Sequence, residues 1–344
     1  VDATVDLARL HEIVAAFARQ TICVVGDMVL DEFVSGEISR VSREAPVLIL
    51  RHRRTEAYPG GAANAASNVA DLGARVIPIG AVGEDEGGEK LLNLFRRRDI
   101  DVSGIFRTGE RPTTTKTRYL AGWTHTTEQQ VLRVDREPRG KLAPKIEQAI
   151  ERKARVAASR ADAVLISDYG MGVAPPELAR KLKAKVLTLD SRYRLLEFRG
   201  AGITAATPNE SEVETAYHTQ VGGALENLRE LGTRALRELG AEALVVTRGK
   251  DGLSLFERGA GSARGVARPP RQIPIYGSDT PVDVTGAGDT VIAVFTLALA
   301  AGASYLEAAH LANYAGGLVV MKRCTATVTR GELEGVLARE AGRA

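Results

Sequence analysis

Six short, nearly unbroken apolar runs, at 22–26, 76–82, 163–167, 186–190, 203–207 and 244–248, constrain this chain most. They are mostly rich in Val, Ile and Leu and are bounded by Gly, Asp or Pro. A strand that is apolar on both faces needs cover on both, which is the condition of a parallel sheet sandwiched between helices. Amphipathic stretches at 62–72, 87–98, 144–159, 176–183 and 224–239 lie between these runs, and the chain from 290 onward reads mostly as helix (290–300, 305–322, 332–341). The alternation predicts right-handed βαβ units wound into an α/β fold with a doubly wound, mainly parallel sheet.

Two stretches, about 31–58 and 111–135, break this rhythm. They mix polar and apolar residues without a helical period, as in Thr113-Thr114-Thr115-Lys116-Thr117-Arg118-Tyr119-Leu120. Such segments predict strands with one wet face, forming a small antiparallel β lid over the edge of the core. A lid can exclude water from a site and can also pair with a second copy of itself. The segment 258–271 reads as a Gly/Ala/Arg/Pro-rich loop, and one domain over 1–344 is expected. A formal charge of +3 argues against a nucleic-acid partner. Cys23 and Cys324 sit among apolar residues, as in a reducing compartment. No apolar run reaches membrane-spanning length, and a start containing Asp2, Asp6 and Glu12 is no signal peptide, so a cytoplasmic protein without a membrane partner is expected.

The chemistry points first to Asp283-Val284-Thr285-Gly286-Ala287-Gly288-Asp289, which opens the helix pattern at 290–300. Amides of Gly286, Ala287 and Gly288 at a helix start lack intrahelical partners, and the dipole favours an anion there. A carboxylate at the same place repels a phosphate unless it handles a proton. Phosphoryl transfer to an alcohol needs that combination of anion cradle and base. The plainer alternative is a capped helix entry.

Other candidates lie at strand ends, where ligands of doubly wound sheets collect. Asp31 follows the first strand and suits sugar hydroxyls; Gly60, Gly61 and Asn64 form a glycine turn into a helix, with an amide for a polyol. Asp168 follows the 163–167 run, as a ligand contact or a loop cap. Asn209 and Glu212, three apart, either share water-mediated Mg²⁺ binding or form an Asn N-cap with a capping box. Thr247, before the Gly249–Gly252 turn, can reach a nucleotide phosphate. Asn313, inside an apolar helix, faces a nucleotide or is a bonded core amide. Lys116 and Arg118 alternate onto one face of the lid, where two cations would match an anionic substrate.

Taken in this order, the motifs resemble the ribokinase-like (PfkB) family of ATP-dependent sugar kinases, from about residue 22 to 336. The most specific parts are 283–289 and 59–64. Val25-Gly26-Asp27-Met28-Val29-Leu30-Asp31, Ile38-Ser39-Arg40-Val41-Ser42-Arg43-Glu44-Ala45-Pro46, Ser167-Asp168-Tyr169 and Thr207-Pro208-Asn209 resemble the heptose 7-phosphate kinase branch. The resemblance implies ATP and Mg²⁺, with Asp289 as base and Gly286, Ala287 and Gly288 as anion hole. It implies Asn209 and Glu212 acting on Mg²⁺ through water, and Asp283 and Thr285 holding a monovalent cation, commonly K⁺. Asp31, Gly61 and Asn64 match sugar contacts, and Asn313 matches the nucleotide pocket. The expected acceptor is a heptose 7-phosphate or similar phosphosugar, and the expected assembly is a homodimer through the lid. Met171 and Cys324 stand where this likeness usually has Lys and Gly, and the branch often carries a fused nucleotidyltransferase, so the kinase half is expected here. Competing readings are a neutral-sugar or nucleoside kinase, and a non-catalytic sugar or nucleotide sensor. Retention of Asp289 and the three small residues favours the enzyme.

Overall fold

The computed structural model describes residues 5–123, 128–222, 225–259 and 268–342. Residues 124–127 of the second expected insertion, 260–267 of the expected loop, and 224 at the start of an expected helix lie outside them. In chain order the strands are β1 (Thr21–Gly26), β2 (Met28–Val41), β3 (Leu48–Gly61), β4 (Arg75–Gly83), β5 (Ile105–Thr108), β6 (Thr114–Gly122), β7 (Gln129–Arg136), β8 (Ala163–Asp168), β9 (Leu187–Ser191), β10 (Ala205–Ala206), β11 (Ala243–Thr247), β12 (Leu253–Glu257) and β13 (Arg271–Ile273). The helices are α1 (Leu7–Ala16), α2 (Ala62–Asp71), α3 (Glu86–Arg96), α4 (Pro144–Ala158), α5 (Pro176–Ala179), α6 (Glu210–Tyr217), α7 (Leu225–Leu239), α8 (Ala287–Ala300), α9 (Tyr305–Val319) and α10 (Arg330–Ala341).

Among the described residues, nine strands form the main sheet in the order β13-β12-β11-β10-β9-β8-β1-β4-β5. It is parallel except at β11–β12 and β12–β13. The apolar runs now have their cause. In β1, Ile22 and Val24 enter one core while Cys23 and Val25 enter the other; Ala163 and Leu165 against Val164 and Ile166 in β8 repeat the division. Helices α2, α8 and α9 pack in the first core, and α4 and α7 in the second. Burial on both faces makes alternation disappear from the sequence. The expected strand at 203–207 shrinks to two residues, and the expected helix at 176–183 to α5.

The order reverses at β1, which pairs with β4 on one side and β8 on the other. That junction is the topological switch point, where a crevice opens at the carboxyl ends. Backbone crowds there: a side chain at Gly26 would sit 2.1 Å from the Ser167 carbonyl oxygen.

The lid is a second sheet, ordered β3-β2-β6-β7. Its two hairpins, β2–β3 and β6–β7, are antiparallel as expected, but they join through a parallel β2–β6 pair. Both inner strands continue from parallel strands of the main sheet, so they run the same way. β2 also begins three residues earlier than expected, at Met28, and β3 runs through the glycine pair to Gly61.

Candidate active site

Helix α8 begins at Gly286, whose φ of 78° is left-handed and whose missing side chain is required. A Cβ there would lie 2.5 Å from the Asn64 amide nitrogen. The closeness is used: Asn64 Nδ2 donates to the Gly286 carbonyl at 3.2 Å and to Asp289 Oδ2 at 3.0 Å. Tyr169 donates its hydroxyl to Asp289 Oδ1 at 2.9 Å. Asp289, only 2% exposed, is thus held by one donor from α2 and one from the loop after β8.

Burial pushes the Asp289 carboxyl up to about 8, and the nearby Asp190 adds to the shift, while the bonds from Asn64 and Tyr169 oppose it. Tyr169 is driven well above the ordinary phenol range by burial and then by Asp289, so it remains a neutral donor. A carboxyl with its proton affinity raised towards neutrality suits a general base.

The three expected amides are not equivalent. Ala287 donates to the Val284 carbonyl at 3.2 Å, closing the turn. Gly288 faces open space and lines two cavities at once. The first, about 870 Å³, is mainly apolar, with Leu253, Ile275, Val291 and Val320 in its walls beside Thr247, Gly249, Gly252 and Asn313. The second, about 800 Å³, is polar and holds Tyr169, Asp190, Arg192, Asn209, Glu212 and Asp289. Thr247, Val284 and Gly288 belong to both walls, so the cavities adjoin along the start of α8.

Several sequence candidates satisfy both of their readings. Asn209 caps α6, accepting from the Glu212 amide at 2.9 Å, while Glu212 Oε2 accepts from the Asn209 amide at 2.8 Å. This capping box also lines the polar cavity and leaves the other Glu212 oxygen for it. Burial raises the Glu212 carboxyl to about 7, against the bonds from Asn209 and the Arg192 charge. Asn313 donates to the Pro274 carbonyl at 2.8 Å while lining the apolar cavity. Gly252 (φ 78°) has no room for a side chain, with the Ile273 carbonyl 2.1 Å from the Cβ position. Asp283 binds the Thr285 amide at 2.9 Å and the Cys324 amide at 3.0 Å, tying the entry of α8 to the segment after α9. Cys324 has a φ of 61°, the conformation glycine favours.

Under the lid, Asp31 lies against Gly60, where a Cβ would sit 2.4 Å from its carboxylate. Gly61, φ 55°, starts α2. Two expectations need correction. Lys116 and Arg118 do not act as a pair of free cations. Arg118 is buried, bonded to Asp31 at 2.6 Å and stacked on Phe33, so its charge is already matched; Lys116 lies over the Tyr169 ring at 5.2 Å. Asp168 is bonded within the loop region: Ser191 Oγ donates to it at 2.7 Å, the Gly170 amide at 3.1 Å, and the Arg194 guanidinium also bonds it. The parallel register sets Asp168 beside Ser191, and its bonds are those of a loop cap.

Reasoning from sequence missed Tyr169, Asp190, Arg192 and Thr325. Tyr169 and Arg192 directly follow β8 and β9, and Asp190 lies near the end of β9, at the same carboxyl edge that singled out Asp31 and Asp168, so the positional rule applies to them too. Thr325, which donates to Asp31 at 2.9 Å, carries no local signal.

A family model described as pfkB family carbohydrate kinase matches residues 19–330. This chain belongs to that family. It is 40% identical over 319 residues to the bifunctional protein HldE of Geobacter metallireducens, covering 91% of this chain and 62% of that protein. To the bifunctional protein HldE of Mesorhizobium japonicum it is 39% identical over 343 residues, covering 97% and 65%. This chain therefore spans less than two thirds of the length of these relatives. Its fold is that of Arabidopsis thaliana ribokinase complexed with ribose and ATP (TM-score 0.67, 19% identity, 92% of this chain and 98% of that one). It is also that of Escherichia coli phosphofructokinase-2 in complex with potassium (TM-score 0.74, 17% identity, 94% and 99%). Among the described residues of this pfkB-family kinase, no helix is long and apolar enough to cross a membrane.

Proposed function

We propose that this chain transfers the γ-phosphoryl group of ATP to a hydroxyl of a phosphosugar, a heptose 7-phosphate first among them. The observation that carries the reading is the meeting of an apolar and a polar cavity at Gly288, with Asp289 one residue further on. The apolar cavity suits a nucleobase and ribose, which places the phosphates against the start of α8. The acceptor enters from the lid side, where Asp31, Asn64 and Lys116 offer polar contacts and Lys116 brings a cation.

In the transfer, the sugar oxygen attacks the γ-phosphorus as its proton passes to Asp289. The bond from γ-phosphorus to the bridging oxygen breaks, and ADP leaves. Asn64 and Tyr169 keep the Asp289 oxygens oriented, and the Gly288 amide donates towards the phosphoryl oxygens. Asn209 and Glu212, on the wall of the polar cavity, fit a hydrated ion shared with phosphates. Bound there, Mg²⁺ would neutralise phosphate charge. A monovalent cation at the loop tied by Asp283 would act on the entry to α8.

The test is ATP consumption with neutral sugars, phosphosugars and nucleosides, with and without K⁺. Turnover is expected with a phosphosugar. Turnover confined to neutral sugars or nucleosides would replace the acceptor assignment, and none with any acceptor would sink the kinase reading in favour of a sensor.

The lid also supports a homodimer. Val131, Leu132 and Val134 of β7 are 46%, 56% and 49% exposed, beside an exposed Trp123. Apolar residues on a short outer strand are normally covered. Light scattering is expected to give twice the chain mass, and Leu132→Glu to reduce it to one; a wild-type monomer would end the proposal.

A further inference from the structure

The polar cavity gathers three carboxylates, Asp190, Glu212 and Asp289, at the place where a triphosphate would add more negative charge. Among the described residues lining it, Arg192 carries the only positive charge. It follows directly on the end of β9 and lines the same cavity as Gly286 and Gly288 at the start of α8. Its Nε donates to the Tyr193 hydroxyl at 3.1 Å, and the guanidinium lies 5.7 Å from that ring. No carboxylate of the described residues forms an ion pair with it, in contrast to Arg118, Arg194 and Arg248. Both terminal amino groups therefore remain for an anion. Arg192 also lowers the proton affinity of Glu212 and Asp190, which places its charge within reach of those two carboxyls.

We infer that Arg192 is a catalytic residue that grips the transferring phosphoryl group opposite the start of α8. The inference rests on the kinase reading and adds a second arm to the anion site. With the amide of Gly288 on one side and a guanidinium on the other, the migrating group is held through the in-line displacement while ADP departs. A planar fork of donors suits this, since it can follow two phosphoryl oxygens as their charge shifts. Charge stabilisation of this kind is realised mainly in the transition state and so acts on kcat.

The test uses the full chain with Arg192→Ala and Arg192→Lys. Arg192 is exposed, and both variants are expected to keep the wild-type melting temperature. Arg192→Ala should lower kcat about 10²- to 10³-fold, with KM for the acceptor and the Kd for a non-hydrolysable ATP analogue within about threefold. Arg192→Lys should recover part of that loss. Affinity for MgADP with aluminium fluoride should fall with kcat in Arg192→Ala. Unchanged kcat, or a loss confined to nucleotide affinity, would overturn this inference and leave the kinase reading standing. A wild-type chain without turnover on any acceptor would overturn both.

Discussion

Asp289→Asn is expected to lower kcat by about three orders of magnitude, with nucleotide affinity nearly intact. The substitution keeps size and place: Asn64 still has an oxygen to donate to, and the Tyr169 hydroxyl can turn to accept from the new amide. What goes is the capacity to take the sugar proton. Because burial and Asp190 set the carboxyl at about 8 in the free site, kcat/KM of the wild type should fall about tenfold per pH unit below that value. Stability should move in the opposite sense. A carboxyl whose proton affinity is raised on folding binds more protons in the native chain than in the unfolded one. Its contribution is therefore fully present below about pH 4 and is lost as pH rises towards 8. The Asn variant, free of that penalty, should be more stable than wild type near pH 7 and lose its advantage near pH 4, as read by urea unfolding. Normal turnover in Asp289→Asn would refute the role of base.

Arg118→Met is expected to cost about 3–5 kcal/mol, because it strips one partner from a buried ion pair. The side chains of Arg118 and Asp31 are 10% and 6% exposed and meet at 2.6 Å. Without the guanidinium, the Asp31 carboxylate keeps only the Thr325 hydroxyl among its described side-chain partners. Combining Arg118→Met with Asp31→Asn should restore much of the stability, since the orphaned charge is removed, but not acceptor binding. Denaturant midpoints separate the two, and a loss below about 1 kcal/mol in the single variant would show that the pair stays solvated. A raised acceptor KM should accompany the loss, because Arg118 on β6, Asp31 on β2 and Thr325 after α9 join the lid to the core at this point.

The comparison of sequence and structure turns on distance along the chain. The division of β1 and β8 between two cores was readable because each strand carries its own apolar run. The turn at 283–289 was readable because small residues, a carboxylate and a helix start are adjacent in sequence. Asn209 and Glu212 were readable as a capping box, yet only the fold shows that they line one cavity with Asp190 and Asp289. The bonding partners of Asp168 and Arg118 were not legible for one reason. These charge partners, Arg194 in the loop after β9 and Asp31 on the neighbouring strand β2, are brought close by strand pairing, and strand register has no local signature.

The order of residues alone determined a covered parallel sheet, a polar lid, and a helix whose start attracts anions beside a carboxylate. Those properties follow from side-chain periodicity and local backbone geometry, which act over a few neighbouring residues. Only the tertiary structure decided that Asn64 and Tyr169 grip Asp289, that Arg118 is consumed by Asp31, and that Arg192 shares a cavity with the start of α8. The bonds among these join groups 87 to 225 residues apart, and the last sets residues around a shared space. Such meetings arise from packing and pairing of whole elements, which no short window of sequence contains.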